Sequence, residues 1–287
     1  MNEKNFPSSQ PGDSIGVFDS GLGGLSIVKE IQRQMPGESV FYFADTLHMP
    51  YGPRPLDEVR RFSLSIAEQL LRLPVKAVVV ACNTASAAAL KPLRRAYPDR
   101  IFVGMEPAVK PAAAESKTGV VGVLATQATF QGELFESVVH RFAGDIEVVR
   151  QPCPGLAEFI EEHEPGHPAL RALLEKYITP LLRRNVDSIV LGCTHYPLVK
   201  DAIAEIAGPQ VAIVDPSPAV ARRCHAVLHE AGLTSRKEAG DVLFTVSGDM
   251  EKFSRAAALH LGREVKAERT PFFWVPARPE DFADIWC

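Results

Sequence analysis

Short apolar runs alternate with longer amphipathic stretches along most of the chain. The runs are rich in Val and Ile and are bounded by Gly, Pro or polar residues, which is typical of buried strands in a parallel sheet. The stretches between them carry apolar residues at helical spacing. This alternation predicts an α/β fold, with strands at residues 14–18, 39–44, 78–81, 101–104, 119–126, 146–150, 187–192, 211–214 and 241–247.

One strand-to-helix junction occurs twice in the sequence. The apolar run 78–81 ends at Cys82, and a small hydroxyl residue and an Ala-rich helix follow. The run 187–192 ends at Cys193, 111 positions later, and a hydroxyl residue and a helix follow again. Two thiols at equivalent strand ends of two related halves predict a function beyond packing.

Composition and charge exclude several classes of function. The 287 residues are 46% hydrophobic with a net charge of −4, so a large core is expected and a basic surface for nucleic acid is not. No apolar run is long enough to cross a membrane, and residues 1–12 lack the apolar core of a signal peptide. The five cysteines show no C-x-x-C spacing, which favours free thiols in a reducing cytoplasm over disulfides or a zinc site.

The two thiols need help from neighbouring residues. Cys82 lies where open α/β sheets bind ligands, and the helix that follows it favours the thiolate. That effect is about 0.3–1 kcal/mol, less than one pKa unit. We therefore expect carboxylate or imidazole groups near each sulfur. Asp19 is the candidate beside Cys82, and Glu161 or His195 is the candidate beside Cys193.

Each of these residues also has a purely structural interpretation. A single buried cysteine is most often a small hydrophobe, and Asp19 suits a helix cap. His195 fits a satisfied histidine at a strand end, and Glu161 belongs to an acidic run typical of a solvated surface. The other cysteines are interpreted as structural or incidental, namely Cys153, Cys224 and Cys287.

Two loops at predicted strand ends are candidate substrate contacts. Residues 19–24 form a Gly-rich turn whose N–H groups can approach an anion, although neither the dinucleotide fingerprint nor a P-loop Lys is present. Residues 45–53 form a loop with several Pro and Gly residues, in which Tyr51 and the Gly52 N–H are plausible contacts. Loops of this composition are often only turns.

Several segments together carry a resemblance to a known family. They are Phe18–Leu25, Asp45–Thr46 with Pro50–Gly52, Ala81–Ser86, Leu191–Pro197 and Ser247–Asp249. With these segments the sequence resembles the glutamate racemases, cofactor-independent members of the aspartate/glutamate racemase superfamily, from about residue 14 to about residue 262. The two cysteine segments together are highly specific, whereas the Gly-rich turn alone is not.

The resemblance implies two pseudo-symmetric, flavodoxin-like α/β domains whose parallel sheets face each other across a cleft. The first domain would combine residues 14–103 and 215–287, and the second would comprise residues 104–214. Residues 1–13 would be a disordered extension, because they are polar and have little to bury. The tail 270–287 would pack on the core or against a partner. The substrate would lie between the domains, with no PLP, metal or nucleotide.

The resemblance also implies roles for individual residues. Cys82 and Cys193 would be the two acid–base thiols, one taking the Cα proton and the other returning a proton to the opposite face. Asp19, His195 and Glu161 would assist them. The residues that would bind or orient the substrate are Asp19, Ser20, Pro50, Tyr51, Gly52, Asn83, Thr84, Thr126, Thr194 and His195.

The function predicted on this basis is interconversion of L- and D-glutamate, which supplies D-glutamate for peptidoglycan. A racemase for aspartate or another small acid is an alternative, as is a non-catalytic amino-acid-binding protein. The paired thiols argue against the latter, because binding alone requires no reactive sulfur. A thiol hydrolase would need one nucleophile with a positioned base rather than a symmetric pair. We expect a cytoplasmic homodimer, and regulation by a cell-wall precursor stays open.

Overall fold

The computed structural model describes residues 8–269 and contains two parallel β-sheets. The strands are β1 (Ser14–Asp19), β2 (Val40–Ala44), β3 (Val75–Val80), β4 (Phe102–Gly104), β5 (Val120–Ala125), β6 (Glu147–Pro152), β7 (Ser188–Gly192), β8 (Ala212–Val214), β9 (Val242–Val246) and β10 (Ala267–Arg269). The larger sheet has the order β10-β9-β2-β1-β3-β4, and the smaller sheet has the order β6-β5-β7-β8.

Helices connect the strands and cover the sheets. They are α1 (Leu25–Gln34), α2 (Leu56–Leu71), α3 (Asn83–Ala96), α4 (Val109–Glu115), α5 (Gln127–Gln131), α6 (Glu133–Phe142), α7 (Leu156–Glu162), α8 (Pro168–Leu182), α9 (Lys200–Ala207), α10 (Ser217–Glu230) and α11 (Met250–Leu261), with a 3₁₀ turn at Tyr196–Val199. Among residues 8–269, none of the helices has both the length and the apolar character that a bilayer crossing requires.

The two sheets repeat one topology. The order β2-β1-β3-β4 in the larger sheet is matched by β6-β5-β7-β8 in the smaller one, and both follow the flavodoxin-like pattern 2-1-3-4. Strand β3 is therefore equivalent to β7, so the residues that follow them, Cys82 and Cys193, occupy equivalent positions. The α/β fold class with two parallel sheets is confirmed.

Alternation along the strands explains why both faces of each sheet are covered. In the strand β3 and its continuation, Val79 and Ala81 join one hydrophobic cluster, whereas Val78, Val80 and Cys82 join the cluster on the other face. Successive side chains of a strand point to opposite faces, so a strand that is covered on both sides is apolar throughout. Cys82 thus continues the alternation of buried side chains to the carboxyl end of the strand β3.

The structure describes only part of the segments predicted to lie outside the core. Residues 1–7 of the extension predicted to be disordered, and the tail 270–287, lie outside the described residues. Residues 8–13, in contrast, have defined contacts. Lys76 Nζ donates a hydrogen bond to the Pro11 carbonyl at 2.8 Å, and Arg100 donates one to the Ser9 hydroxyl at 3.1 Å. The polar composition of residues 8–13 does not indicate these contacts, because their donors are Lys76 and Arg100, which lie far along the chain in the folded domain.

Candidate active site

One cavity collects residues that follow the carboxyl ends of strands from both sheets. It encloses about 640 Å³ of empty space, including its opening to solvent, and both Cys82 and Cys193 line it. The equivalent topology of the two halves explains why the two thiols reach one site. The other predicted site residues on its surface are Ser20, Pro50, Tyr51, Gly52, Asn83, Thr84, Thr126, Thr194 and His195.

Cys82 caps the helix that follows it. Its backbone is extended, and its Sγ accepts the Ala85 N–H at 3.5 Å. Burial nevertheless raises the pKa of the Cys82 thiol well above its usual value, and the nearby Asp19 charge raises it further, whereas the Ala85 N–H lowers it. The expected preference for thiolate is therefore reversed, because loss of water on burial outweighs the effect of the helix N-terminus.

Asp19 lies behind the cavity wall and organises the Gly-rich turn. Its carboxyl group is fully buried and accepts N–H groups of Gly21 at 3.2 Å and Gly24 at 3.0 Å. Thr194 of the other half donates its hydroxyl to Asp19 at 3.3 Å. Burial raises the pKa of Asp19, while His195 and the backbone N–H groups lower it. Two N–H groups of the turn, those of Gly21 and Gly24, therefore bind the protein's own carboxyl group rather than an external anion.

Cys193 lies next to an imidazole and a carboxylate. Its Sγ is 3.8 Å from His195 Nδ1, and the opposite ring nitrogen, Nε2, is 2.6 Å from Glu161 Oε1. Burial alone would lower the pKa of His195, but the hydrogen bonds to Cys193 and Glu161 and their charges raise it well above its usual value. A protonated His195 donates from both ring nitrogens, and its positive charge favours an anionic sulfur beside it.

Glu161 links the two halves of the molecule. Besides His195, its Oε1 accepts the N–H of Leu22, which belongs to the Gly-rich turn of the other half. A Cβ at Gly21 would overlap with the same Glu161 carboxylate, and a Cβ at Gly23 would come within 2.8 Å of the His195 backbone nitrogen. The glycines are thus required for close approach of the halves. The solvated-surface interpretation of Glu161 does not hold, since its side chain is only 10% exposed.

Asn83 has a buried amide at the cavity. The residue is 3% exposed and lines the cavity, and within residues 8–269 neither its Oδ1 nor its Nδ2 has a hydrogen-bond partner. Leaving a buried amide unpaired costs about 1–3 kcal/mol. A polar ligand in the cavity would remove that cost, so Asn83 is suited to bind one.

Three threonine hydroxyls form a small cluster beside the cavity. Thr84 Oγ1 is 2.9 Å from Thr126 Oγ1, which is 2.9 Å from Thr129 Oγ1. Thr126 also caps α5 by accepting the Thr129 N–H. Thr84 belongs to the first half and the other two residues to the second half, so the cluster joins the halves next to the two thiols.

The loop 45–53 lines the cavity and is held by hydrogen bonds within the protein. Tyr51 lines the cavity but is 2% exposed, and its hydroxyl donates to Asp45 Oδ2 at 2.6 Å. The Tyr51 hydroxyl is therefore already engaged within the protein. Gly52 faces the other half, since its carbonyl accepts the Ala128 N–H at 3.3 Å.

Some cavity residues were not singled out from the sequence. Met49, Pro154 and Ala157 line the cavity, and their residue types carry no chemical signal. Gln127 and Glu158 also line it, and their polar side chains are common on helices, so the sequence does not single them out. Cys153 also lines it, although it was interpreted as structural. The sequence feature that could have identified Cys153 as a cavity residue is its position directly after the strand β6. Its Sγ donates to the Gln151 carbonyl at 3.3 Å, and burial raises its pKa to about 12, so this thiol stays protonated near neutral pH.

The arrangement can move protons at a carbon held in the cavity. One thiol is favoured as neutral by burial, and the other lies beside an imidazole with a raised pKa. Two sulfurs that line one cavity can provide an acid and a base at the same time when one of them is protonated and the other is not. The unpaired Asn83 amide and the Ser20 hydroxyl supply polar groups for orienting a ligand.

Comparisons with known proteins find similar sequences and similar folds among racemases. The family model described as Asp/Glu/hydantoin racemase matches residues 15–224. A glutamate racemase of Roseiflexus sp. (strain RS-1) is 47% identical over 249 residues, which cover 86% of this chain and 92% of that protein. The crystal structure of a glutamate racemase from Bacillus anthracis has a TM-score of 0.83 at 32% identity, covering 91% of this chain and 98% of that one.

A further solved structure contains bound ligands. The Escherichia coli glutamate racemase in complex with L-glutamate and the activator UDP-MurNAc-Ala has a TM-score of 0.77 at 29% identity. The match covers 88% of this chain and 97% of that one. These findings confirm the resemblance that the cysteine segments indicated. The chain belongs to the Asp/Glu/hydantoin racemase family.

Proposed function

We propose that the protein interconverts L- and D-glutamate without a cofactor, using Cys82 and Cys193 as two acid–base groups. The single observation that carries this proposal is that the two sulfurs, from equivalent strand ends of two halves, line one cavity. The choice of glutamate is supported by the names of the relatives and by the L-glutamate bound to the Escherichia coli protein.

In the proposed reaction, one sulfur acts as thiolate and takes the proton from Cα, which leaves a carbanion stabilised by the adjacent carboxylate. The other sulfur acts as thiol and donates its proton to the opposite face of Cα. Each turnover therefore exchanges the protonation states of the two sulfurs, and no proton is gained or lost overall. The reverse reaction uses the same groups in exchanged roles.

The neighbours of each sulfur support distinct starting states. Cys82 starts as the thiol, because burial and the Asp19 charge raise its pKa. Cys193 is proposed as the sulfur that takes the first proton, because the imidazole of His195 lies 3.8 Å away and is held by Glu161. The ammonium group of the substrate brings a positive charge into the cavity, which favours formation of the second thiolate. Asn83, Thr84, Thr126 and Thr194 are proposed to orient the substrate with Ser20 and the loop 50–52.

A direct assay tests this function. Purified protein should form D-glutamate from L-glutamate, and L-glutamate from D-glutamate, with no added cofactor. Aspartate is assayed in parallel at the same concentrations. Turnover of aspartate in preference to glutamate would reassign the substrate, and absence of turnover with both amino acids would refute the proposal.

The cellular role and assembly are part of the same proposal. D-glutamate formed in the cytoplasm would be used for peptidoglycan, and the protein would be a homodimer with domains 14–103 plus 215–287 and 104–214. The domain division is supported by β1–β4 and β9–β10 sharing one sheet, whereas β5–β8 form the other.

Regulation by a cell-wall precursor is suggested by the activator bound to the Escherichia coli protein. Light scattering tests the dimer, and addition of UDP-MurNAc-Ala to the assay tests the regulation.

A further inference from the structure

Two sequence segments far apart along the chain meet at the base of the substrate loop. Asp45 and Thr46 follow β2, and Ser247 and Gly248 follow β9, its neighbour in the sheet. We call these four residues the loop clamp. The residue pairs are about 200 positions apart, yet the Ser247 hydroxyl donates to Asp45 Oδ1 at 2.9 Å and the Gly248 N–H donates to Thr46 Oγ1 at 3.1 Å.

Asp45 is the centre of the clamp. It is fully buried, and its carboxylate also accepts the Tyr51 hydroxyl at 2.6 Å and lies 2.8 Å from His48 Nδ1. Each end of the loop 46–52 is thereby tied to one carboxylate at the edge of the sheet. Hydrogen bonds to a charged acceptor are stronger than those between neutral groups, so this carboxylate contributes strongly to the loop's shape.

Ser247 extends the clamp by using its hydroxyl twice. While the hydroxyl donates to Asp45, its oxygen accepts the Leu47 N–H at 3.0 Å. Gly248 is required for close approach, because a Cβ there would lie 2.7 Å from Thr46 Oγ1. No residue of the clamp lines the cavity that holds the two thiols, so none of them can contact a substrate there directly.

We propose that the loop clamp, centred on Asp45 and completed by Ser247, positions Pro50, Tyr51 and Gly52 for substrate binding. The residues of the loop clamp are positioning residues, and they act through the loop rather than on the reacting atoms. The proposal rests on the proposed function, because its readout is turnover of glutamate. It gives a role to the segment 247–249, which the proposed chemistry leaves unused.

The test compares variants of Ser247, which follows β9, with a variant of its partner Asp45, which follows β2. In Ser247→Ala the clamp loses two hydrogen bonds, and KM for both glutamate enantiomers should rise about tenfold by loss of loop positioning, with kcat changed less than threefold. Ser247→Thr keeps a hydroxyl and should restore KM to within about threefold of wild type. Asp45→Asn should raise KM at least as much as Ser247→Ala. The melting temperature is measured for each variant.

Thr245→Val is the matched control. Thr245 lies in β9, two residues before Ser247, and is 1% exposed. Its hydroxyl donates to the Tyr42 carbonyl at 3.0 Å. Thr245→Val therefore loses a buried hydrogen bond without changing the clamp. It should lower the melting temperature and leave KM unchanged. If Ser247→Ala lowers the melting temperature and leaves KM at the wild-type value, as the control does, the positioning role is refuted. Failure of the proposed function would differ, since wild type itself would then not turn over glutamate.

Discussion

The two halves of the molecule place a cysteine at the same point of the same topology but surround it with different groups. Cys82 has a backbone N–H donor from its own helix and the buried Asp19 nearby. Cys193 has an imidazole that is itself held by the Glu161 carboxylate. Repetition of the fold thus places both sulfurs at one cavity, and divergence of their neighbours surrounds them with different charged groups.

This difference teaches that a racemase site does not need chemical symmetry. A reaction that runs in both directions requires one acid and one base on opposite faces. If both sulfurs had the same surroundings, they would favour the same protonation state. In the proposed mechanism, the different neighbours of Cys82 and Cys193 therefore suit the two sulfurs to different roles at the start of the reaction.

The largest expected effect comes from replacing either sulfur. Cys82→Ser and Cys193→Ser should each abolish racemisation, with at least about a thousandfold loss of kcat, because a hydroxyl is a much weaker acid and base catalyst near neutral pH. Chiral chromatography of the products measures the loss. Cys224→Ala serves as the control, since this thiol is buried within α10 and lies outside the cavity lining. Wild-type turnover by either Cys82→Ser or Cys193→Ser would contradict the assignment of the two sulfurs as acid and base.

Next in size is the effect of His195→Gln, which should lower kcat about a hundredfold. The change removes the positive charge beside Cys193 while Cys82 keeps its surroundings. The primary deuterium isotope effect should therefore increase more in the direction in which Cys193 takes the proton than in the other direction. Equal isotope effects in both directions, measured with Cα-deuterated enantiomers, would show that His195 does not serve one sulfur preferentially.

A smaller effect is expected at Asn83, which adjoins Cys82. Asn83→Ala removes an amide that has no partner in the described structure and lines the cavity. It should raise KM about tenfold in both directions by loss of substrate hydrogen bonds, and it should not lower the melting temperature. Steady-state kinetics and thermal unfolding measure the two quantities. An unchanged KM would remove Asn83 from the substrate-binding residues.

The smallest expected effect is the pH dependence of stability that His195 contributes. Its pKa is raised in the folded protein, so the folded state holds the proton more tightly than the unfolded state. The stabilisation is complete below the unfolded value of about 6.5 and is lost as pH rises through the folded pKa. Urea unfolding of wild type and His195→Gln at pH 6, 8 and 10 should give a difference that shrinks with pH. A constant difference would contradict the raised pKa.

Much of the fold could be predicted from the sequence, because strands buried on both faces are apolar throughout and the helices between them are amphipathic. The strand β10 was missed, since three residues with two charged side chains carry no strand pattern. Its place is set by pairing with β9, which local sequence does not reveal.

The candidate site was predictable where chemistry and position coincide. Cys82 and Cys193 stood out as reactive residue types at repeated strand ends. The link from Asp45 to Ser247 could not be derived, because it depends on β9 pairing beside β2. The reversal at Cys82 also needed the structure, since the helix N-terminus is visible in the sequence but the degree of burial is not.

The most direct test of the central claim, two sulfurs acting on opposite faces of one carbon, is Cα hydrogen exchange during racemisation in D₂O. Starting from L-glutamate, the first D-glutamate formed should carry deuterium at Cα, while the remaining L-glutamate keeps its protium. The same should hold in the reverse direction. Deuterium that enters the remaining L-glutamate as fast as the product, or protium retained in the product, would indicate a single base and contradict the account.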